Sequence, residues 1–174
     1  TRQRTDGCRK QLLDKISAPS DVQSGWDLPA YSAVPRANHT LRTLPPSLSN
    51  RNAQAHDDGI WQCFLRTLGA AEHQEDATAR AIATLPSRLG GLGLRSAQRT
   101  ASAAYCASWI DALQVPASKA PTVATRIVND LEQEGGPTAE CLQEAAHALA
   151  HLRDLGANEL PRWSETEGAE PRQP

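Results

Sequence analysis

The sequence predicts a mainly α-helical chain: a small irregular helical bundle with one short extended Gly-Leu segment. Three observations predict it. Apolar residues recur at about 3.6-residue spacing in five segments. Alanine supplies 28 of the 174 residues, which favours closely packed helices. Gly and Pro punctuate the apolar runs instead of interrupting alternating strands.

The elements follow in order. A helix is predicted over Cys8 to Ile16, with Leu12, Leu13 and Ile16 on one face, before Ala18-Pro19-Ser20-Asp21 interrupts it. The stretch Asp21 to Val34 is helical but distorted by Gly25 and Pro29, because an interior Pro removes a donor and costs ~3 kcal/mol. After Pro45-Pro46 a longer helix runs from Ser49 to Leu68, aligning Ile60, Phe64 and Leu68 and stopping at Gly69. Asp76 to Leu85 forms another, with Ala77, Ala81, Ile82 and Leu85 turned inward and Pro86 closing it.

Leu89-Gly90-Gly91-Leu92-Gly93-Leu94 then breaks the pattern. Three glycines in four positions between apolar Leu predict positive φ or close backbone packing around Leu92 to Leu94. Ser96 caps the next helix, which runs to Leu113 and buries Ala97, Ala101, Ala104, Tyr105, Trp109 and Leu113. Val115 to Pro121 reads as a linker. Two helices follow, Thr122 to Glu134 on Val123, Ile127 and Leu131, and Pro137 to Leu155 on Leu142, Ala145, Leu149 and Leu152. Gly135-Gly136 and Gly156 end them. Glu159 to Pro174 is a frayed tail that docks by Trp163. The organisation is thus a basic helical region 1–114, a linker 115–121, an acidic helical hairpin 122–156 and a flexible tail 157–174.

Only 30 of the residues are Leu, Ile, Val or Phe, a thin core for a chain this long, although a net charge of −2 argues against disorder. The length leaves no room for a complete polymerase. Residues 1–110 carry 13 basic and 9 acidic side chains, and residues 111–174 carry 5 and 11. All eight basic residues between Pro35 and Thr100 are Arg, the side chain suited to bidentate contact with phosphate or carboxylate. Cys8, Cys63, Cys106 and Cys141 form no CxxC pair, so reduced thiols are expected, not a zinc ribbon or a disulfide framework. No run approaches the ~20 apolar residues of a membrane span, and the beginning of the chain lacks the apolar core of a signal peptide, so an intracellular protein without membrane contact is expected. A chain beginning with Thr fits a segment of a longer reading frame.

The run Ala83-Thr84-Leu85-Pro86-Ser87-Arg88-Leu89-Gly90-Gly91-Leu92-Gly93-Leu94-Arg95-Ser96-Ala97, with Trp109 on the helix after it, resembles the segment downstream of the palm in non-LTR (LINE-type) retrotransposon reverse transcriptases. Upstream, Pro35-Arg36-Ala37-Asn38-His39 through Pro45-Pro46 and His56-Asp57-Asp58 extend the resemblance over most of the chain. Gly25, Asp27 and Pro29 depart from it, standing where that family has an unbroken apolar helix around Trp26. The resemblance implies the thumb and post-thumb connector of an RNA-directed DNA polymerase. In that role Arg36, Arg42, Arg88, Arg95 and Arg99 hold phosphates of the RNA template and DNA primer, and Gly90, Gly91, Gly93 and Trp109 form the structural motif. It also implies partnership with a palm domain absent from this chain, no cofactor here because Mg²⁺ would bind that palm, and a nuclear site of action if the parent element is active.

The residues themselves argue against chemistry in this segment. Two-metal catalysis needs carboxylates converging on ions ~3.5–4 Å apart. Asp57-Asp58 lies in a helical pattern, where neighbours point about 100° apart, so a solvated polar face is the expectation. His147 and His151 stand at i, i+4, a spacing that can hold zinc, but Ala148 occupies the place of a His-Glu-X-X-His base. No Gly-Lys-Ser/Thr follows the glycines, which removes a Walker loop. Two other readings compete with the polymerase segment: a helical protein-interaction domain and an inactive, decayed retrotransposon fragment. In both, the arginines are solvated or paired with Asp57, Asp58, Glu72, Glu75 and Asp76.

Overall fold

The computed structural model describes residues 11, 13–15, 21–70, 76–133, 136–157 and 159–166. They are mainly helical, and no strand occurs among them. The helices with both ends described are α1 (Val22–Leu28), α2 (Ala37–Thr43), α3 (Pro46–Thr67), α4 (Ala77–Thr84), α5 (Ala97–Lys119), α6 (Pro121–Glu132) and α7 (Glu140–Asp154). The chain divides into two compact units. One comprises Thr1–Asn38 with Arg51–Arg99, the other His39–Asn50 with Thr100–Pro174.

In the first unit Asp21 caps α1 by accepting from the amides of Gln23 and Ser24 and from the Ser24 hydroxyl. That hydroxyl, followed by the two amides, holds the Asp21 carboxyl below the usual range. The predicted distortion at Pro29 takes a definite form. A proline cannot donate to the carbonyl four residues back. The chain widens into a π turn over Pro29–Ala33, closed by the Val34 amide bonding to the Pro29 carbonyl, and tightens into a 3₁₀ turn over Val34–Arg36. Gly25 is the point where α1 meets α3: a Cβ there would overlap the Thr67 side chain. Gly25 thus has a packing role, and Pro29 is itself among the fully buried side chains.

Helix α3 presents Ala53, His56, Ile60, Cys63 and Phe64 as one buried stripe. With Leu13, Ala33, Val34, Trp61, Ala83 and Leu94, most of that stripe forms the first core. Leu68 departs from the expected alignment. The helix ends at Thr67, Gly69 takes a left-handed φ of 68°, and Leu68 is left exposed. Of the expected helix over Cys8 to Ile16, Gln11 and Leu13–Lys15 are helical, Leu13 is buried, and the rest lies outside the described residues.

The inward face expected for α4 is corrected. Ala83 is its buried residue, whereas Ala77, Ala81 and Ile82 are exposed and Leu85 is half-buried. The helix is short and capped at Asp76, which accepts from the Thr78 and Ala79 amides. Its packing is set by the Gly-Leu segment folding back over its last turn, not by its own apolar stripe. That segment is not a strand. It has no neighbouring strand to pair with, and its amides go to the end of α4 instead: Leu92 and Leu94 donate to the Ala83 carbonyl, and Gly93 donates to that of Leu85.

In the second unit α5 continues through the expected linker. Val115 to Lys119 are helical, with Pro116 inside the helix and its carbonyl accepting from the Ala120 amide. The break comes at Ala120, and Pro121 opens α6 from the first helical position, where its missing N–H costs nothing. On α5, Tyr105 and Leu113 are buried as expected and Trp109 and Ala104 half-buried, while Ser102 and Cys106 join the buried side unforeseen. Ala124, Val128 and Leu131 are the buried residues of α6, so its inward face is turned from the expected one: Val123 is exposed and Ile127 half-buried. Helix α7 buries Leu142, Ala145 and Leu149 as expected, and Ala148 as well, with Leu152 packed alongside. Trp163 docks fully, 4% exposed in this core. Ser164 fixes it in place by donating its amide and hydroxyl to Glu132 Oε1, both at 2.9 Å.

Burial sorts the described cysteines. It pushes the Cys106 thiol up to about 11, against a smaller pull from Arg153, and raises that of Cys63 as well. Cys141 is exposed. Under native conditions a maleimide therefore modifies Cys141 well before Cys63 or Cys106, as peptide mapping by mass spectrometry will show; equal rates at Cys106 and Cys141 would contradict the burial. The Cys106 proton also makes stability fall as pH rises from 9.0 toward about 11, because the unfolded chain releases a proton that the folded chain keeps.

Candidate nucleic-acid interface

The Gly-Leu segment is built by two different constraints. Gly90 and Gly93 have φ of 79° and 69°, in the left-handed region where a Cβ is strained. Gly91 is different: a Cβ there would overlap the carbonyl group of Leu85 and the oxygen of Ile82. The 3₁₀ turn Ser87–Leu89 carries Arg88, and Arg95 directly follows the segment; both are exposed.

Arg36, Arg88, Arg95 and Arg99 all belong to the first unit, are exposed, and form no ion pair among the described residues. Arg42 belongs to the second unit and pairs with Asp111 at 2.6 Å. With the two side chains 43% and 69% exposed, that pair contributes no more than about 1 kcal/mol. Trp109, also in the second unit, is half-buried and meets Tyr105 edge to face, with ring centroids 6.4 Å apart and planes at 80°.

Main-chain donors do not add to these guanidinium groups. The amides of Gly90 and Gly91 go to the Ser87 and Pro86 carbonyls, and those of Leu92, Gly93 and Leu94 to α4. The start of α5 is likewise occupied. Asp57, on α3, accepts the Ser96 hydroxyl at 2.7 Å, the Ala97 amide at 2.7 Å and the Gln98 amide at 3.1 Å, while Ser96 itself accepts the Arg99 amide. A helix N-terminus that could hold an anion thus holds the protein's own carboxylate.

Of the acidic pair, Asp58 is exposed as expected, whereas Asp57 is taken up in the fold. Asp57 caps α5, and Asp58 pairs with Arg80 at 2.6 Å. Asp76 caps its own helix, and Glu72 and Glu75 lie outside the described residues. Sequence reasoning missed the Asp57 cap because its partners lie about forty residues ahead, where no local pattern signals it. His151 Nδ1 lies 3.2 Å from the Ser102 hydroxyl, and His147 is exposed. Among the described residues no group of three His, Cys, Asp or Glu side chains is placed to hold a metal, and no helix is long and apolar enough to cross a membrane.

Comparison of the chain with protein-family models, curated proteins and solved structures finds no match.

Proposed function

We propose that this chain is a non-catalytic accessory segment of an RNA-directed DNA polymerase and helps hold the template-primer. The reading rests on the resemblance of the Pro-Arg-Ala-Asn-His and Gly-Gly-Leu-Gly-Leu-Arg-Ser-Ala motifs to non-LTR reverse transcriptases. The observation that carries it furthest is the set of four exposed arginines, Arg36, Arg88, Arg95 and Arg99, which lie in the unit that holds the Gly-Leu segment and form no ion pair among the described residues. Of the carboxylates in the competing pairing, Asp57 and Asp76 serve as caps and Asp58 binds Arg80, while Glu72 and Glu75 lie outside the described residues. Phosphate contact is then a matter of guanidinium groups alone, sequence-independent and salt-sensitive. Chemistry belongs to the palm of the parent polymerase and its Mg²⁺, and a nuclear site of action follows if that parent is active.

The test is titration of an RNA–DNA duplex with the whole chain at several salt concentrations. Binding in the non-specific range, ~10⁻⁴–10⁻⁶ M, is expected, and the acidic second unit opposes it. Each lost phosphate contact flattens the log–log slope by about 0.9 on B-form duplex, so Arg88→Ala with Arg95→Ala flattens it by about 2. Negligible binding by parent and variant alike at low salt would overturn the proposal and favour an interaction domain or an inactive fragment.

A further inference from the structure

A second feature of the first unit goes beyond phosphate contact. Tyr31, in the π turn, is 74% exposed. It stands beside Trp26 with ring centroids 6.1 Å apart and planes at 84°. Two rings so disposed make a corner: a planar group lying parallel to one ring meets the other edge-on, and both contacts are favourable for aromatic systems. The corner opens on a cavity of about 290 Å³, whose other walls include Pro35, Asn38, Ser87 and Arg95. That volume sits at the lower end of ligand clefts and suits one ring system.

The polar groups on the walls narrow the occupant. The Trp26 indole N–H is buried with no acceptor among the described residues. Asn38 offers a carboxamide, which both donates and accepts, and Arg95 an exposed guanidinium that has no ion-pair partner among the described residues. Arg36 and Arg88, also exposed, are the sequence neighbours of the wall residues Pro35 and Ser87. An aromatic corner, an amide edge and exposed positive charge together match a nucleobase with its phosphate better than an apolar side chain.

We propose that this cavity takes one unpaired nucleobase of a single-stranded segment, stacked on Tyr31, with Arg95 on an adjoining phosphate. The proposal rests on the reading of the chain as a nucleic-acid-holding segment and assigns it a single-strand contact besides the duplex.

The test uses the whole chain and two fluorescent octanucleotides of equal charge, oligouridylate and its abasic counterpart, compared by anisotropy. Oligouridylate is expected to bind more tightly. Tyr31→Ala should weaken it by about five- to 150-fold, the range for losing one stacked base, and bring it to the abasic level. Tyr31→Phe should bind like the parent, and the salt slope of Tyr31→Ala should stay unchanged because no charge is lost. A circular dichroism melt checks the fold of each variant. Equal binding of the two oligonucleotides, or Tyr31→Ala binding like the parent, overturns the proposal. Capture of a proline-rich peptide in a Tyr31-dependent manner without base preference overturns it too, in favour of peptide recognition. Duplex binding separates the two readings: a chain that binds duplex but ignores bases keeps its role as a polymerase segment and loses this site. Base-dependent binding without duplex affinity does the reverse.

Discussion

Gly91→Val lowers stability by about 3 kcal/mol or more, well above the ~1 kcal/mol of an ordinary substitution. The Cβ would meet the carbonyl group of Leu85 and the oxygen of Ile82, which are backbone atoms at the end of α4 and cannot turn aside as a side chain can. Gly93→Ala and Gly90→Ala are milder, about 1–2 kcal/mol each, because they add only the strain of a left-handed residue. Space exists for both: nothing lies within 4 Å of a Cβ at Gly90, and only the Ser87 hydroxyl, at 3.7 Å, approaches one at Gly93. Urea midpoints followed by circular dichroism rank the three. A Gly91→Val chain that unfolds at the parent midpoint would show that the segment does not approach α4 this closely.

The second large effect is at Asp57. Asp57→Ala takes an acceptor from the Ser96 hydroxyl and from two amides in the first turn of α5, at a cost of about 2 kcal/mol. Asp57→Asn keeps an acceptor oxygen but loses the charge that complements the helix dipole, so it falls between alanine and the parent. Asp58→Ala should cost no more than about 1 kcal/mol, since its bond to Arg80 is half-exposed. The same denaturation measurement checks the order. If Asp58→Ala proves the more damaging, the role assigned to Asp57 as the cap of α5 is wrong.

These two residues mark the limit of what the sequence reveals. Periodicity and punctuation located the helices well. Gly69 and Gly156 end them with left-handed backbone, and Pro29 disturbs its helix where the missing donor requires. Local pattern also found the close approach at Gly91. It failed where a distant partner decides the outcome. Which side of α4 is buried depends on the chain that folds back from Leu92, and Asp57 gains its role only when α3 meets the start of α5. Pro116 misled for another reason: proline weakens a helix by a finite amount, and α5 runs through it. The five arginines were legible as a set, but not that Arg42 belongs to the other unit and pairs with Asp111. Trp26 and Tyr31 were passed over as a pair because only the wide turn at Pro29 defines how they meet.

The interleaving of the two units has a consequence for how the protein is made. His39–Asn50 belongs with residues from Thr100 onward, so it leaves the ribosome well before the rest of its own unit exists. At ordinary synthesis rates of about 5–20 residues per second, that short piece waits several seconds while the intervening chain emerges and folds. The first unit, complete by Arg99, can mature while this piece still lacks its partners. A cut at any single point, however placed, separates one of the units from part of itself or leaves the other with a foreign segment, so proteolytic nicking within 39–99 should release no intact half.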